Sequence, residues 1–302
     1  MWPSGIIHSA RIGNDPMLYF FFSGAMYFWI SLYLRGKNRH LFIASIFTVV
    51  AILTKVNAVI LLPMAIVLFL LKAIVGHFSF SKKSMLKGGI VGLIMAASLC
   101  FAMYPGVALK LEGKRGNVYV TNMGSRLIVG NKLENFLWLD IKTFVNEPFT
   151  SPFDDKYGRQ YFPNYIGKTA LFGEWMYKGV PIHNIAVAIS VIALAMFAIS
   201  IIFLFQTPIK DIRILLPLLL ISFLSLCGMT HMRYTFPVNV DFRYILPIII
   251  PFCIYFNYGI NLSLCNAKKR LAVSSIFLEL LFCLFSVGFA IEIINGSLSF
   301  VK

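Results

Sequence analysis

Long apolar runs separated by short basic loops dominate the chain. The runs fall near residues 17–34, 41–56, 58–75, 88–108, 184–205, 214–236, 244–264 and 271–294. None alternates as a half-buried strand does, and each is of helix length. The pattern predicts an all-α polytopic membrane protein of about eight transmembrane helices, four on either side of a long mixed segment. The second and third runs form one apolar stretch interrupted by "TKVN" and Pro63. Each half is short against the roughly 20 residues that cross about 30 Å of hydrocarbon.

Loop charge sets the orientation, because short loops rich in Lys and Arg stay cytoplasmic. "RGKNRH" (35–40), "KKSMLK" (82–87) and "NAKKR" (266–270) are such loops. For the first two to share a side, the run from 41 to 75 crosses twice, with Lys55 and Asn57 near its outer tip. "QTPIKDIR" (206–213) then falls inside, while the long segment and both termini fall outside. The chain divides accordingly into an N-terminal helix group (1–108), one long extracytoplasmic loop region (109–183) and a C-terminal helix group (184–302).

Composition removes the soluble classes. With 59% hydrophobic residues, 13% charged residues and a mean hydropathy of +0.80, the chain does not describe a soluble domain. Backbone groups in lipid must be satisfied internally, so unalternating runs of this length mean helices, not a barrel. A net charge of +15 is explained by loop cations beside anionic lipid. Nucleic acid is not an expected partner, since no soluble basic domain exists to bind it. Cys100, Cys227, Cys253, Cys265 and Cys283 lie in or beside the apolar runs without a CxxC pair. No disulfide framework, metal site or cofactor is expected, and the cysteines read as small packing residues. Asn295 and Asn261 fit the N-glycosylation pattern, the latter on the cytoplasmic side. "MWPSGIIHSARIGND" lacks the order of a signal peptide, and an outer N-terminus leads us to expect further helices preceding Met1.

The long segment mixes Trp138, Trp175 and several tyrosines with Asp140, Asp154, Asp155, Arg159, Lys168 and Glu174. Aromatic faces beside carboxylates suit a sugar, which offers an apolar ring face and a rim of hydroxyls. Two other readings stand beside it. Aromatic residues also collect at membrane interfaces, and "SPFDDKYG" is good turn chemistry.

Three charged elements share the predicted outer side. In "HSARIGNDPMLYFF", Asp15 before Pro16 is helix-start chemistry, which leaves His8 and Arg11 unexplained. Lys55 stands in "LTKVN" and Arg243 in "NVDFRYILPIIIP". A lysine or arginine near a helix centre costs about 2.5–3.5 kcal/mol on insertion scales, so such residues sit at interfaces or face a polar site. Asp15, Lys55 and Arg243 could converge at the outer interface, where the cations suit a lipid phosphate. Arg243 can hold two oxygens at once, and Tyr244 adds a hydroxyl.

"SARIGNDPMLYFF", "AILTKVNAVILLP", "FRYILPIIIP" and "GRQYFPNYIGKTALFGEW" resemble landmarks of the polytopic glycosyltransferases of the GT-C fold. The nearest group is the family 39 type, which includes dolichyl-phosphate-mannose protein mannosyltransferases and bacterial relatives that modify lipids or glycans. The resemblance covers most of the chain in order, with spacing suited to the later helices of that fold, here a partial one. It implies transfer of a sugar from a polyprenyl-phosphate donor to a protein, lipid or glycan acceptor, on the lumenal or extracytoplasmic side of an endoplasmic reticulum or bacterial inner membrane. Asp15 is then the expected catalytic carboxylate. Arg243, Tyr244, Lys55 and Arg11 are the expected donor-phosphate contacts, and Glu174 and His8 the expected acceptor or sugar contacts. The family's principal acid lies in a first outer loop that this sequence does not contain, which leaves its activity as it stands open.

Two other functions stay open beside this one. A multi-pass transporter or flippase of a lipid-linked or anionic solute would line a midplane path with the same cations, although no matching pair of broken helices marks two repeats. A noncatalytic partner of a complete transferase would keep the fold without the chemistry.

Overall fold

A computed structural model describes residues 3, 15–74, 92, 94, 97, 132–149, 161–173, 176–235, 245, 248–266 and 268–297 of the 302-residue chain. These residues are almost entirely helical, with no strand among them. Ten α-helices have their bounds among the described residues, in order α1 (Asp15–Arg35), α2 (Asn38–Thr54), α3 (Leu61–Ile74), α4 (Leu133–Leu137), α5 (Ile141–Asn146), α6 (Phe162–Phe172), α7 (Val180–Gln206), α8 (Ile209–Thr235), α9 (Ile249–Cys265) and α10 (Lys269–Glu292). The apolar runs are therefore helices wherever they are described. The run 88–108 lies outside the described residues, apart from helical Gly92, Ile94 and Ala97.

Among the described residues three helices are long and apolar enough to cross a membrane: Pro16–Arg35, Val180–Gln206 and Lys269–Asn295. The eight expected spans are seen there in part. Arg39–Thr54, Ala58–Leu68 and Ile249–Cys265 are apolar but shorter, and Leu215–His231 is the apolar stretch within the 27-residue α8. At 1.5 Å per residue, even a 17-residue helix rises only about 25 Å against about 30 Å of hydrocarbon. Large apolar side chains nonetheless face outward on the long helices, among them Phe197 and Phe205 on α7 and Phe277, Leu280 and Leu284 on α10. Water does not favour such faces, and lipid does.

The chain divides into two compact units, one of Ile12–Asn122 with Arg213–Ser225, the other of Met1–Arg11, Met123–Ile212 and Leu226–Lys302. The first unit is built on an antiparallel pair. Leu18, Phe22, Ala25, Trp29 and Leu32 of α1 are buried at alternating spacings of four and three, against Ala44, Thr48 and Ala51 of α2. The turn between them is two residues long, and Gly36 supplies the positive φ of 67° that ends α1, donating its N–H to the Leu32 carbonyl at 2.8 Å. Within the pair, buried Trp29 Nε1 donates to Thr48 Oγ1 at 2.9 Å, and the Phe47 ring lies directly on Gly24, where any side chain would collide.

α2 stops where the sequence breaks. Lys55 is extended (φ −158°, ψ 128°), donates its N–H to the Ala51 carbonyl at 3.0 Å, and accepts at 3.0 Å from Ala58 N–H as the 3-10 turn Val56–Ile60 begins. Pro63 follows within the first turn of α3, where a missing N–H costs nothing. The expected interruption at "TKVN" is thus a real joint between two helices.

In the second unit α7, α9 and α10 pack together. Tyr255 donates its hydroxyl to the Ser200 carbonyl at 3.3 Å and Phe203 meets Phe256 at 5.8 Å, so α9 runs parallel to α7. Ile185, early in α7, reaches Gly288, late in α10; α10 therefore runs the opposite way. These directions are those that the loop charges require for helices flanking "NAKKR". All four described cysteines are free thiols. Cys227, Cys253 and Cys265 are exposed, so interior packing, the role expected of them, is not theirs.

Candidate functional site

Asp15 is the first residue of α1 and Lys55 follows the last residue of α2. Because α1 and α2 form an antiparallel pair on a two-residue turn, both residues belong to the same end of that pair, opposite Gly36 and Lys37. Two of the expected site residues, 40 positions apart by their numbers, are thereby brought to one level of the structure. Lys55 is half-buried. Its backbone makes the joint, and those bonds do not depend on its side chain. His8, Arg11, Glu174, Arg243 and Tyr244 lie outside the described residues, as do Asp154, Asp155, Arg159 and Trp175.

The described part of the long segment is a folded cluster of three short helices seated on the ends of longer ones. Asp140 caps α5, its carboxylate accepting from Thr143 N–H at 3.1 Å and from Thr143 Oγ1 at 2.6 Å. The Thr143 hydrogen bonds, with smaller help from the Lys142 backbone and the charge of Lys168, hold its carboxyl below the usual aspartate value despite slight desolvation. The residue is also gripped through its backbone. Buried Asn164 on α6 accepts from Asp140 N–H at 2.8 Å and donates from Nδ2 to the Asp140 carbonyl at 2.7 Å. α5 lies close on α6 because Gly167 has no side chain where the Phe144 ring rests.

Aromatic packing joins the cluster to the long helices. Phe149 meets Phe172 at 5.5 Å, Tyr177 at 5.0 Å and Phe289 of α10 at 6.2 Å. Phe289 also lies 5.2 Å from both Phe172 and Tyr177. The Tyr177 hydroxyl donates to the Phe172 carbonyl at 3.2 Å, and burial pushes its pKa up, away from ionisation. At the other side, Arg233 near the end of α8 is wholly buried, its guanidinium carbon 5.5 Å from the centroid of the Phe136 ring. A cation over an aromatic face is attracted by the ring's negative charge distribution.

These contacts change the reading of the segment. Asp140 is committed to a helix cap and Tyr161 Oη donates to Glu134 at 3.3 Å, so both serve the cluster itself. Trp138 keeps an exposed ring suited to stacking, and Lys168 is buried on α6. Arg233 was not among the expected site residues. Its signal was visible in "HMRYT", where an arginine enters the end of an apolar run. Among the described residues no group of three or more metal-ligating side chains occurs. Comparison of the chain with protein-family models, with curated proteins and with solved structures gives no match in any of the three.

Proposed function

We propose that the chain is a membrane glycosyltransferase of GT-C, family 39 type, moving a sugar, mannose in the family's own name, from a polyprenyl-phosphate donor to a protein, lipid or glycan acceptor. The transfer takes place on the outer face of an endoplasmic reticulum or bacterial inner membrane. The observation that carries this reading is the shared end of the α1–α2 pair, where the structure holds the acid-bearing start of one helix and the lysine-bearing joint of the next. An acid and a cation at one level are what the reaction needs.

The chemistry is a direct displacement at the anomeric carbon. The acceptor oxygen forms a bond to that carbon as the bond to the lipid-phosphate oxygen breaks. Asp15 takes the acceptor's proton. Lys55, Arg243, Arg11 and Tyr244 stabilise the negative charge that grows on the departing phosphate, while Glu174 and His8 hold the acceptor or sugar.

Transfer from a polyprenyl-phosphate sugar in membranes that contain the protein tests the reading. Arg243→Ala and Lys55→Met are each expected to cost about 2–5 kcal/mol of transition-state stabilisation, the range for a lost charged contact. For Lys55→Met the helix joint should persist, because its bonds are backbone bonds. Transfer unchanged in both variants defeats the proposal. Movement of the lipid-linked sugar between leaflets without transfer favours a flippase.

A further inference from the structure

Most charged side chains of the apolar runs stand near a run's end, as Lys55, Lys72, Arg233 and Glu292 do. Glu279 does not. It belongs to the span Lys269–Asn295, and at 1.5 Å per residue it stands about 15 Å from the first residue, near the middle of a hydrocarbon layer of about 30 Å. A carboxylate at that depth is costly, and it marks a partner or a function.

Its place on the helix is specific. Ala272, Ser275, Phe282, Ser286 and Phe289 are the buried stripe of α10, and Glu279 falls in the same register of threes and fours. Unlike them it is only half-buried. The two serines satisfy themselves on their own helix, Ser275 donating to the Leu271 carbonyl at 2.8 Å and Ser286 to the Phe282 carbonyl at 2.6 Å. An ionised carboxylate can only accept, and the amides of a helix interior are already used. Among the described residues no hydrogen bond or ion pair reaches Glu279.

A second polar element lies beside it. Cys253, Asn257 and Asn261, four apart, share an exposed face of α9. α9 packs on α10. Asn257 donates from Nδ2 to the Cys253 carbonyl at 3.0 Å, which uses only part of the hydrogen-bonding capacity of its amide. Asparagines on lipid-depth faces bond across to other helices.

We propose that this face of α9 and α10 docks a transmembrane helix of a partner protein that places a lysine or arginine at mid-membrane depth against Glu279. Charge decides among the occupants. A second copy docked about a two-fold axis through Glu279 would set two carboxylates side by side, which is repulsive. The apolar runs of this chain carry no lysine or arginine at their middles, and among the described residues no cation pairs with Glu279. This inference requires α10 to span a membrane and is independent of the transferase reading.

The test uses the full chain, labelled at its C-terminus and reconstituted in phosphatidylcholine vesicles, with labelled leucine-rich transmembrane peptides that carry Lys, Leu or Glu at the centre. Energy transfer reports association. The Lys peptide should bind about tenfold more tightly than the Leu peptide, the scale of a polar contact between membrane helices. Glu279→Gln should abolish that preference, and Glu279→Lys should transfer it to the Glu peptide, a gain that misfolding cannot imitate. Equal binding of the Lys and Leu peptides, or a Lys preference that survives Glu279→Gln, overturns the proposal. So does association between two labelled copies that blocks the Lys peptide, which makes a second copy the occupant.

Discussion

Asn164 holds Asp140 by both of its backbone polar groups, accepting from the N–H at 2.8 Å and donating to the carbonyl at 2.7 Å across 24 residues of sequence. A single buried amide thus imitates one rung of a sheet and fixes the entry of α5 against α6. Replacing it with alanine strands an amide N–H and a carbonyl beside a buried space. Asn164→Ala should cost about 1–3 kcal/mol, the penalty for unmade buried hydrogen bonds. Denaturant unfolding of the purified protein in detergent measures it, and a change within error would show that water replaces both bonds without loss.

The Asp140 carboxylate gives the same corner a dependence on pH. Its pKa in the folded chain is held below the unfolded value of 3.8, chiefly by the Thr143 hydrogen bonds. A depressed carboxyl pKa stabilises the fold fully above the unfolded value, and that contribution disappears as pH falls through the lower folded value. The Thr143 amide resonance, followed in threonine-labelled protein, should therefore shift with a midpoint below 3.8. Asp140→Asn should remove the titration while keeping an acceptor for the cap. Asp140→Ala should cost about 0.5–2 kcal/mol. A midpoint at or above 3.8 contradicts the cap's role.

How far these features could be read in advance differs by range. The start of α1 at Asp15 and the joint at Lys55 were legible because each is set by neighbours in sequence: an acid before a proline, and a polar "TKVN" inside an apolar run. The Asn164–Asp140 clamp, the seat of Arg233 on Phe136 and the meeting of Phe289 with Phe149 were not legible. Each joins positions far apart in the chain, and no local period announces it. Helix ends differ from the ends of the apolar runs for a related reason. The run 41–56 starts three residues late against α2, which is Asn38–Thr54 with Lys55 extended, and the run 244–264 starts before α9, which begins at Ile249. Of the candidate site, only the pairing of levels between Asp15 and Lys55 follows from a pattern visible in sequence, namely a short basic turn between two apolar helices.

Gly259 is a packing requirement that can be tested directly. The Phe203 ring of α7 lies where a side chain at this position of α9 would stand, and the nearby Tyr255–Ser200 hydrogen bond needs the same close approach. Gly259→Ala should cost about 1–3 kcal/mol, the range for overpacking a filled interior. Adding Phe203→Leu should recover part of it, since the two positions share one space and their effects should not add. Detergent-induced unfolding of the single and double variants measures both. Additive losses would mean that the contact is not shared.

Phe289 ties the outer cluster to a long apolar helix, touching Phe149, Phe172 and Tyr177 together. Removing that ring leaves a cavity under α6, and Phe→Ala changes in such sites cost about 3–5 kcal/mol. α7 and α10 also pack directly on each other, so the loss should fall on the cluster and not on the helix pair. Lys168 reports the difference, because it is buried on α6 in the intact protein. Trypsin should cut after Lys168 faster in Phe289→Ala than in the parent, with α7 and α10 still protected. Phe289→Leu should lie between them, since a leucine fills much of the space without the edge-to-face ring contacts. Cleavage at Lys168 that is equally slow in all three would show that the cluster holds its place without the ring.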